Sequence, residues 1–195
     1  AETADKGESL NLARRTARLM RRRLYRRAWR LTKLARTLRR HGLIDDVAVL
    51  KQPPVKGFHT PNLWQLRVDA LDRKLTREEW ARVIYHLCKH RGFHWISRAE
   101  EKRAEGDSKG EGGRVKQGLN RTAQLMQGKS YRTAAEMVLH EFPSAQRNKR
   151  GDYGKALSRV MLADELGLLF NVQEKLGNSH ATPALQQAVL GTGDR

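Results

Sequence analysis

Between Ser9 and His41 stand twelve arginines and one lysine, with no aspartate or glutamate among them. Guanidinium groups are planar, permanently charged donors that grip phosphate or carboxylate oxygens two at a time. The chemistry they offer is therefore the holding of an anion, with no bond made or broken. Their spacing says how. At about 100° per helical residue, Arg15, Arg18, Arg22, Arg26, Lys33, Arg36 and Arg40 share an arc of about 80°. Leu10, Ala13, Ala17, Met20, Leu24, Ala28, Leu31, Ala35 and Leu38 share a second arc on nearly the opposite side. Two stripes kept in phase over about nine turns predict one long amphipathic helix with a basic face. Arginines three and four apart repel one another, so the helix needs counter-charge along one side and a protein partner under the other. A phosphate backbone meets the first need.

A second group invites a metal. His86 and His90 are four apart and would share a helix face, with His94 and Cys88 close by. Gly92 breaks the helix ahead of His94, however, and Cys88 falls on the apolar side. The reading is histidines that pack or touch a nucleic acid, and no metal site. Asp72, Glu78 and Glu79 have capping or surface roles, and no paired carboxylates suggest acid–base catalysis. Tyr25 and Trp29 lie on or beside the basic arc, where they suit either stacking on a base or ribose or docking against a further domain. Trp64 and Trp80 read as core.

The elements that must position these groups are helical throughout. Ser9 can cap the first amides of the long helix. Gly42 supplies a left-handed residue to end it, and Leu43 then packs back on Leu38. Residues 44–60 read as a connector broken by Pro53, Pro54 and Gly57. Thr60 and Pro61 start a helix that runs to about Leu75. Thr76 and Glu79 form a capping box for the next, whose buried face is Trp80, Val83, Ile84, Leu87 and Cys88, with Gly92 closing it. Residues 98–113 read as a flexible polar loop and Val115–Gln127 as a weaker helix. Thr133 and Glu136 make a second capping box before a short helix to Phe142. Residues 144–157 form a polar loop, Ser158 caps a longer helix closed by Gly177, and Thr182-Pro183 starts the last. The expected fold is all-α. A long arginine-rich helix with a short lead (1–43) is followed by the connector (44–60) and a small irregular helical domain (61–195).

A formal net charge of +18 and a pI near 10.8 favour nucleic acid or an anionic surface as partner. Alanine at four of the nine stripe positions suits close helix packing and inserts poorly into lipid. The lone Cys88 excludes a disulfide within one chain and fits a reducing compartment. With no membrane-length apolar run and no signal-peptide pattern, a cytoplasmic setting is expected. The first residue is not methionine and the last five are Gly-Thr-Gly-Asp-Arg, so the sequence reads as a piece of something larger.

Three stretches carry a resemblance. Ser9-Leu-Asn-Leu-Ala-Arg-Arg15 leads into the arginine helix. Thr60-Pro61, Trp64-Gln-Leu-Arg67 and Ala70-Leu-Asp-Arg-Lys-Leu-Thr76 continue to His86-Leu-Cys-Lys-His-Arg-Gly-Phe93. Arg147-Asn-Lys-Arg-Gly-Asp-Tyr153 is the third. In this order they resemble the bridge helix and the start of the recognition lobe of type II-C CRISPR RNA-guided DNA endonucleases. The likeness covers most of residues 5–180 apart from 98–113, and the second stretch is the most specific part of it. In that family, protein grips the guide–target heteroduplex by backbone and shape while base pairing reads sequence.

The resemblance implies RNA contact by Arg15, Arg18, Arg22, Arg26, Arg27 and Arg30, to which the basic arc adds Lys33. Arg27 lies well off the arc, beside the apolar side. The resemblance also implies contact by Arg91 and Gly92 at a helix end, where glycine permits close approach of the guide or duplex backbone. It further implies contact by Arg147, Asn148, Lys149, Arg150 and Tyr153 in a loop. The family's catalytic carboxylates and histidine belong to RuvC and HNH domains, and no residue here matches their motifs. This chain should therefore bind and not cut, with no cofactor of its own; magnesium belongs to the nuclease domains of the whole enzyme. The implied partners are guide RNA and the target DNA heteroduplex. An acidic anti-CRISPR protein that mimics RNA charge would fit the same face and block guide loading. A ribosomal-type RNA-binding protein would explain the charge but not the ordered motifs at residues 60–93. A basic leucine zipper is disfavoured because the apolar stripe runs beneath the arginines and does not follow them.

Overall fold

Leu10–Arg40 runs as one uninterrupted helix of 31 residues, α1. The run contains no glycine or proline and only scattered threonines, so nothing in it breaks the backbone ladder. At 1.5 Å per residue it is a rod of about 46 Å. It ends as expected. The Gly42 N–H donates to the Arg39 carbonyl (3.0 Å) and the Leu43 N–H to the Leu38 carbonyl (2.9 Å), with Gly42 at φ 72°. Leu38 and Leu43 are both fully buried in the core beneath that turn.

The computed structural model describes residues 10–50, 62–94, 111–142 and 153–191, the side chains of residues 10, 111 and 112 excepted. Ser9, Thr60 and Pro61, and with them two of the expected helix starts, lie outside the described residues. After α1 come a 3-10 turn at Val47–Leu50, α2 (Leu63–Asp69), α3 (Arg77–Lys89), α4 (Glu111–Gly128), α5 (Ala134–Glu141), α6 (Arg159–Lys175) and α7 (Pro183–Leu190). No strand occurs among the described residues, only an isolated parallel bridge between Phe93 and Ser158.

Most caps are those the sequence announces. Thr76 and Glu79 close the reciprocal box of α3, Ser158 accepts from the Met161 N–H, and Thr182 accepts from the Leu185 N–H ahead of Pro183. Others differ. The cap of α2 is Asn62, whose Oδ1 accepts from the Trp64 N–H (3.1 Å). Thr133 caps α5, but the Glu136 carboxylate returns to the Arg132 N–H (2.8 Å) and not to Thr133. The Arg132 guanidinium also donates to that carboxylate, and to Asp72. Helix α4 starts at Glu111, so residues 111–113 of the expected loop are helical; its residues 98–110 are not described.

Helix α3 is the hub. It packs on α1, α2, α6 and the 3-10 turn, while α2 lies on α5, and α6 lies on α5 and α7. Trp80 is fully buried and meets Phe170 edge-on at 4.9 Å. Trp64 is only half buried, with its ring beneath the Arg67 guanidinium (4.3 Å). Two buried polar ties fix α6. Arg67 on α2 forms a two-pronged ion pair with Glu165 (2.6 and 2.8 Å), and Glu165 also accepts from the Ala135 N–H. Gln173 accepts from the Leu75 N–H and donates to the Ala70 and Arg73 carbonyls. A buried pair of this kind adds little net stability, but removing one partner strands a charge.

The apolar stripe of α1 behaves differently from its sequence pattern. Ala35 and Leu38 are buried and Leu31 partly so, whereas Ala13, Ala17, Met20, Leu24 and Ala28 are exposed, Leu24 by 58%. The reason is length. The other described helices have between 7 and 18 residues, against 31 in α1. The body therefore covers only the C-terminal turns of the rod, and α1 leaves it near Arg30.

Candidate nucleic-acid interface

Arg15, Arg18, Arg22, Arg26 and Lys33 are exposed along α1, on the arc opposite the turns that the core covers. Among the described residues, no carboxylate forms an ion pair with any cation of α1. Carboxylates elsewhere are engaged: Asp45 with Arg77, Asp72 with Arg132, Glu79 with Arg73. The helix also carries no acid in its first turn. An unneutralised row of guanidinium groups along an exposed rod is a surface for a polyanion.

A second basic surface lies where α1 leaves the body, at the C-terminal end of α3. Burial, then the charges of Arg91 and Arg27, hold the Arg30 guanidinium below its ordinary pKa. Burial and then Arg159 do the same to Arg91. Arg27 lies close enough to Tyr85 on α3 for its charge to oppose the upward shift that burial imposes on the phenol. Arg27 and Arg30 of α1, Arg91 in the turn after α3 and Arg159 of α6 thus form a run of neighbouring cations, with no carboxylate paired to any of them among the described residues. The Arg159 Nε is buried without a hydrogen-bond partner among those residues. Such a cluster is self-repelling until an anion sits in it.

Arg159 had no place in the sequence-based set. Its signal was there: an arginine directly after the Ser158 cap, in the turn where a helix dipole favours acids. Its distance from Arg91 in sequence hid the pairing. Gly92 and the Phe93–Ser158 bridge create it. The Phe93 N–H donates to the Leu157 carbonyl (2.9 Å) and the Arg159 N–H to the Phe93 carbonyl (2.9 Å). A Cβ on Gly92 would stand 2.6 Å from the Ser158 carbonyl oxygen and 2.7 Å from that of Leu157, at φ +73°. On its Cβ side, the close approach that this glycine permits is to the chain's own backbone.

Tyr153 opens the segment that this approach seats. Its ring lies edge-on to Phe93 at 6.3 Å, and its carbonyl faces Gly118 of α4, where any Cβ would clash at 2.0 Å. The segment is not simply a polar loop: Lys155, Ala156 and Leu157 are buried, and the Thr122 hydroxyl donates to the Ala156 carbonyl (2.6 Å). Arg147, Asn148, Lys149 and Arg150 lie outside the described residues.

The histidine–cysteine group is built for packing. His86 is largely buried, with its ring 5.4 Å from Trp64 and 5.0 Å from His90. Burial, with Arg67 and other nearby cations, lowers its pKa to about 3, so the ring is neutral at physiological pH. Burial pushes the Cys88 thiol up to about 11 despite Arg30 and Arg91, so it is protonated and a poor nucleophile. Among the described residues no group of three or more His, Cys, Asp or Glu side chains is placed to hold a metal. No described helix is long and apolar enough to cross a membrane.

No family model matches the chain. A curated relative does: the CRISPR-associated endonuclease Cas9 of Campylobacter jejuni is 30% identical over 192 residues, covering 91% of this chain. The chain spans only 18% of that relative's length. Two solved structures of C. jejuni Cas9, described as complexes with sgRNA and target DNA of different PAM sequence, superpose with a TM-score of 0.76. They are 26% and 27% identical and cover 94% and 95% of this chain, which in turn spans 24% and 25% of theirs. Fold and sequence agree, and the chain is homologous over about 91% of its length to one region of a type II-C Cas9.

Proposed function

We propose that this chain is the guide-RNA and heteroduplex backbone-binding part of an RNA-guided DNA endonuclease of CRISPR antiviral defence. The observation that carries the reading is the exposed arginine face of α1, paired with no carboxylate among the described residues and continued by the Arg27–Arg30–Arg91–Arg159 cluster. Homology to a Cas9 region supports it. On this reading Arg15, Arg18, Arg22, Arg26 and Lys33 hold successive phosphates along the rod. Arg27, Arg30, Arg91 and Arg159 take a phosphate at the foot of the rod, and Gly92 positions the last two. The chain binds and does not cut; cleavage and its magnesium belong to nuclease domains of the whole enzyme.

The test is binding of a structured RNA as a function of salt. Each neutralised phosphate releases counterions, so log affinity should fall linearly with log salt, by about 0.7 to 0.9 per contact. Arg22→Ala and Arg26→Ala should each weaken binding and reduce the slope by about 1. A flat salt dependence, or slopes unchanged by both substitutions, would remove the arginine face from the site.

A further inference from the structure

Trp29 is 56% exposed and Tyr25 is 72% exposed, one turn apart on α1. By helical phase Trp29 falls inside the basic arc, with Arg26 about one turn before it and Lys33 about one turn after, and Tyr25 lies at the arc's edge. The Lys33 ammonium stands over the indole at 5.5 Å from the ring centroid. Phosphate holding needs neither ring: the cations do that alone. A large aromatic kept in water on the polar side of a helix, flanked by guanidinium groups, is the arrangement that takes a nucleobase face while its phosphates are held alongside. Charge selects the occupant. An apolar protein segment would have to bury uncompensated arginines around the indole, whereas a nucleotide brings their counter-charge with it. A base within a duplex is already stacked on its neighbours, so the occupant must be unpaired.

We propose that Trp29, with Tyr25 beside it, is a stacking site for an unpaired nucleobase of the RNA held by the arginine face. The inference rests on the function proposed above and adds to it a preference for RNA with a splayed or single-stranded nucleotide at α1. An aromatic–base stack contributes about 5- to 100-fold in affinity by alanine substitution.

The experiment compares wild type, Trp29→Ala, Trp29→Phe and Arg22→Ala on two probes, a single-stranded oligouridylate and a blunt RNA duplex of equal length. Trp29→Ala should weaken single-strand binding by about 5- to 100-fold with an unchanged salt slope, and leave duplex binding as it was. Trp29→Phe should restore most of the single-strand affinity, and Arg22→Ala should weaken both probes with a shallower slope. If wild type binds both probes with steep salt dependence and Trp29→Ala binds them equally well, stacking is refuted while the arginine face stands. An equal loss on both probes would also overturn it, because the indole would then be acting on the helix and not on a base. If wild type binds neither probe, the underlying function falls and this inference with it.

Discussion

Gly92→Ala tests the joint that brings Arg91 and Arg159 together. The added Cβ would stand 2.6 Å from the Ser158 carbonyl oxygen, which is backbone and cannot swing aside as a side chain would. Holding an L-residue in the left-handed region costs about 1–2 kcal/mol. If the clash opens the bridge, the Phe93–Leu157 and Arg159–Phe93 hydrogen bonds go too, each contributing about 0.5–1.5 kcal/mol. Together these give a loss of about 2–5 kcal/mol, or a fall of roughly 5–15 °C in Tm for a chain of this size. The assay is thermal unfolding by circular dichroism, followed by RNA titration well below the new midpoint. Arg91→Ala is the comparator. It removes a cation from a repelling cluster, so it should melt at or slightly above the wild-type temperature while binding RNA more weakly. Gly92→Ala should lose both stability and affinity, because the positions of Arg91 and Arg159 depend on the bridge. A Gly92→Ala protein that melts within about 1 °C of wild type and binds RNA equally well would refute the reasoning.

The two ends of the α1 stripe should respond unequally to truncation. Leu38→Ala, from a fully buried site, should cost about 2–5 kcal/mol in urea unfolding, whereas Leu24→Ala, 58% exposed, should stay within about 0.5 kcal/mol of wild type. Equal penalties would show that the N-terminal half of the stripe is covered within the chain. Stability should also fall on acidification through His86. Its folded pKa of about 3 lies below the ordinary 6.5, so between those values the unfolded chain binds the extra proton. Its contribution is therefore fully present above pH 6.5 and lost as pH falls towards 3, at no more than about 1.4 kcal/mol per pH unit. His86→Leu should flatten that slope in unfolding curves at pH 4 to 6.5, and an unchanged slope would exclude His86 as its source.

What the sequence determined by itself is what short-range periodicity and capping control. Six arginines and a lysine on one arc, in a run without an acid and opposite an apolar stripe, specify α1 and its basic face with no help from the rest of the chain. Gly42 and Leu43 end it, and Thr76, Ser158 and Thr182 start their helices, because each bond involved spans at most five residues. The resemblance to CRISPR nucleases was likewise legible in local runs such as Trp64–Arg67 and His86–Phe93. Only the tertiary structure decided how far the stripe is used. Periodicity marks an apolar face but carries no information on how much body lies beneath it, and here the body stops near Arg30. Only the tertiary structure, too, brought Arg159 to Arg91, Glu165 to Arg67 and Gln173 to Leu75. These partners stand 68 to 98 residues apart, where no spacing rule reaches and close fit between elements selects the pair. Gly92 shows the division most plainly. Its place at the end of α3 could be read from the chain, but the carbonyls of Leu157 and Ser158 that require it could not.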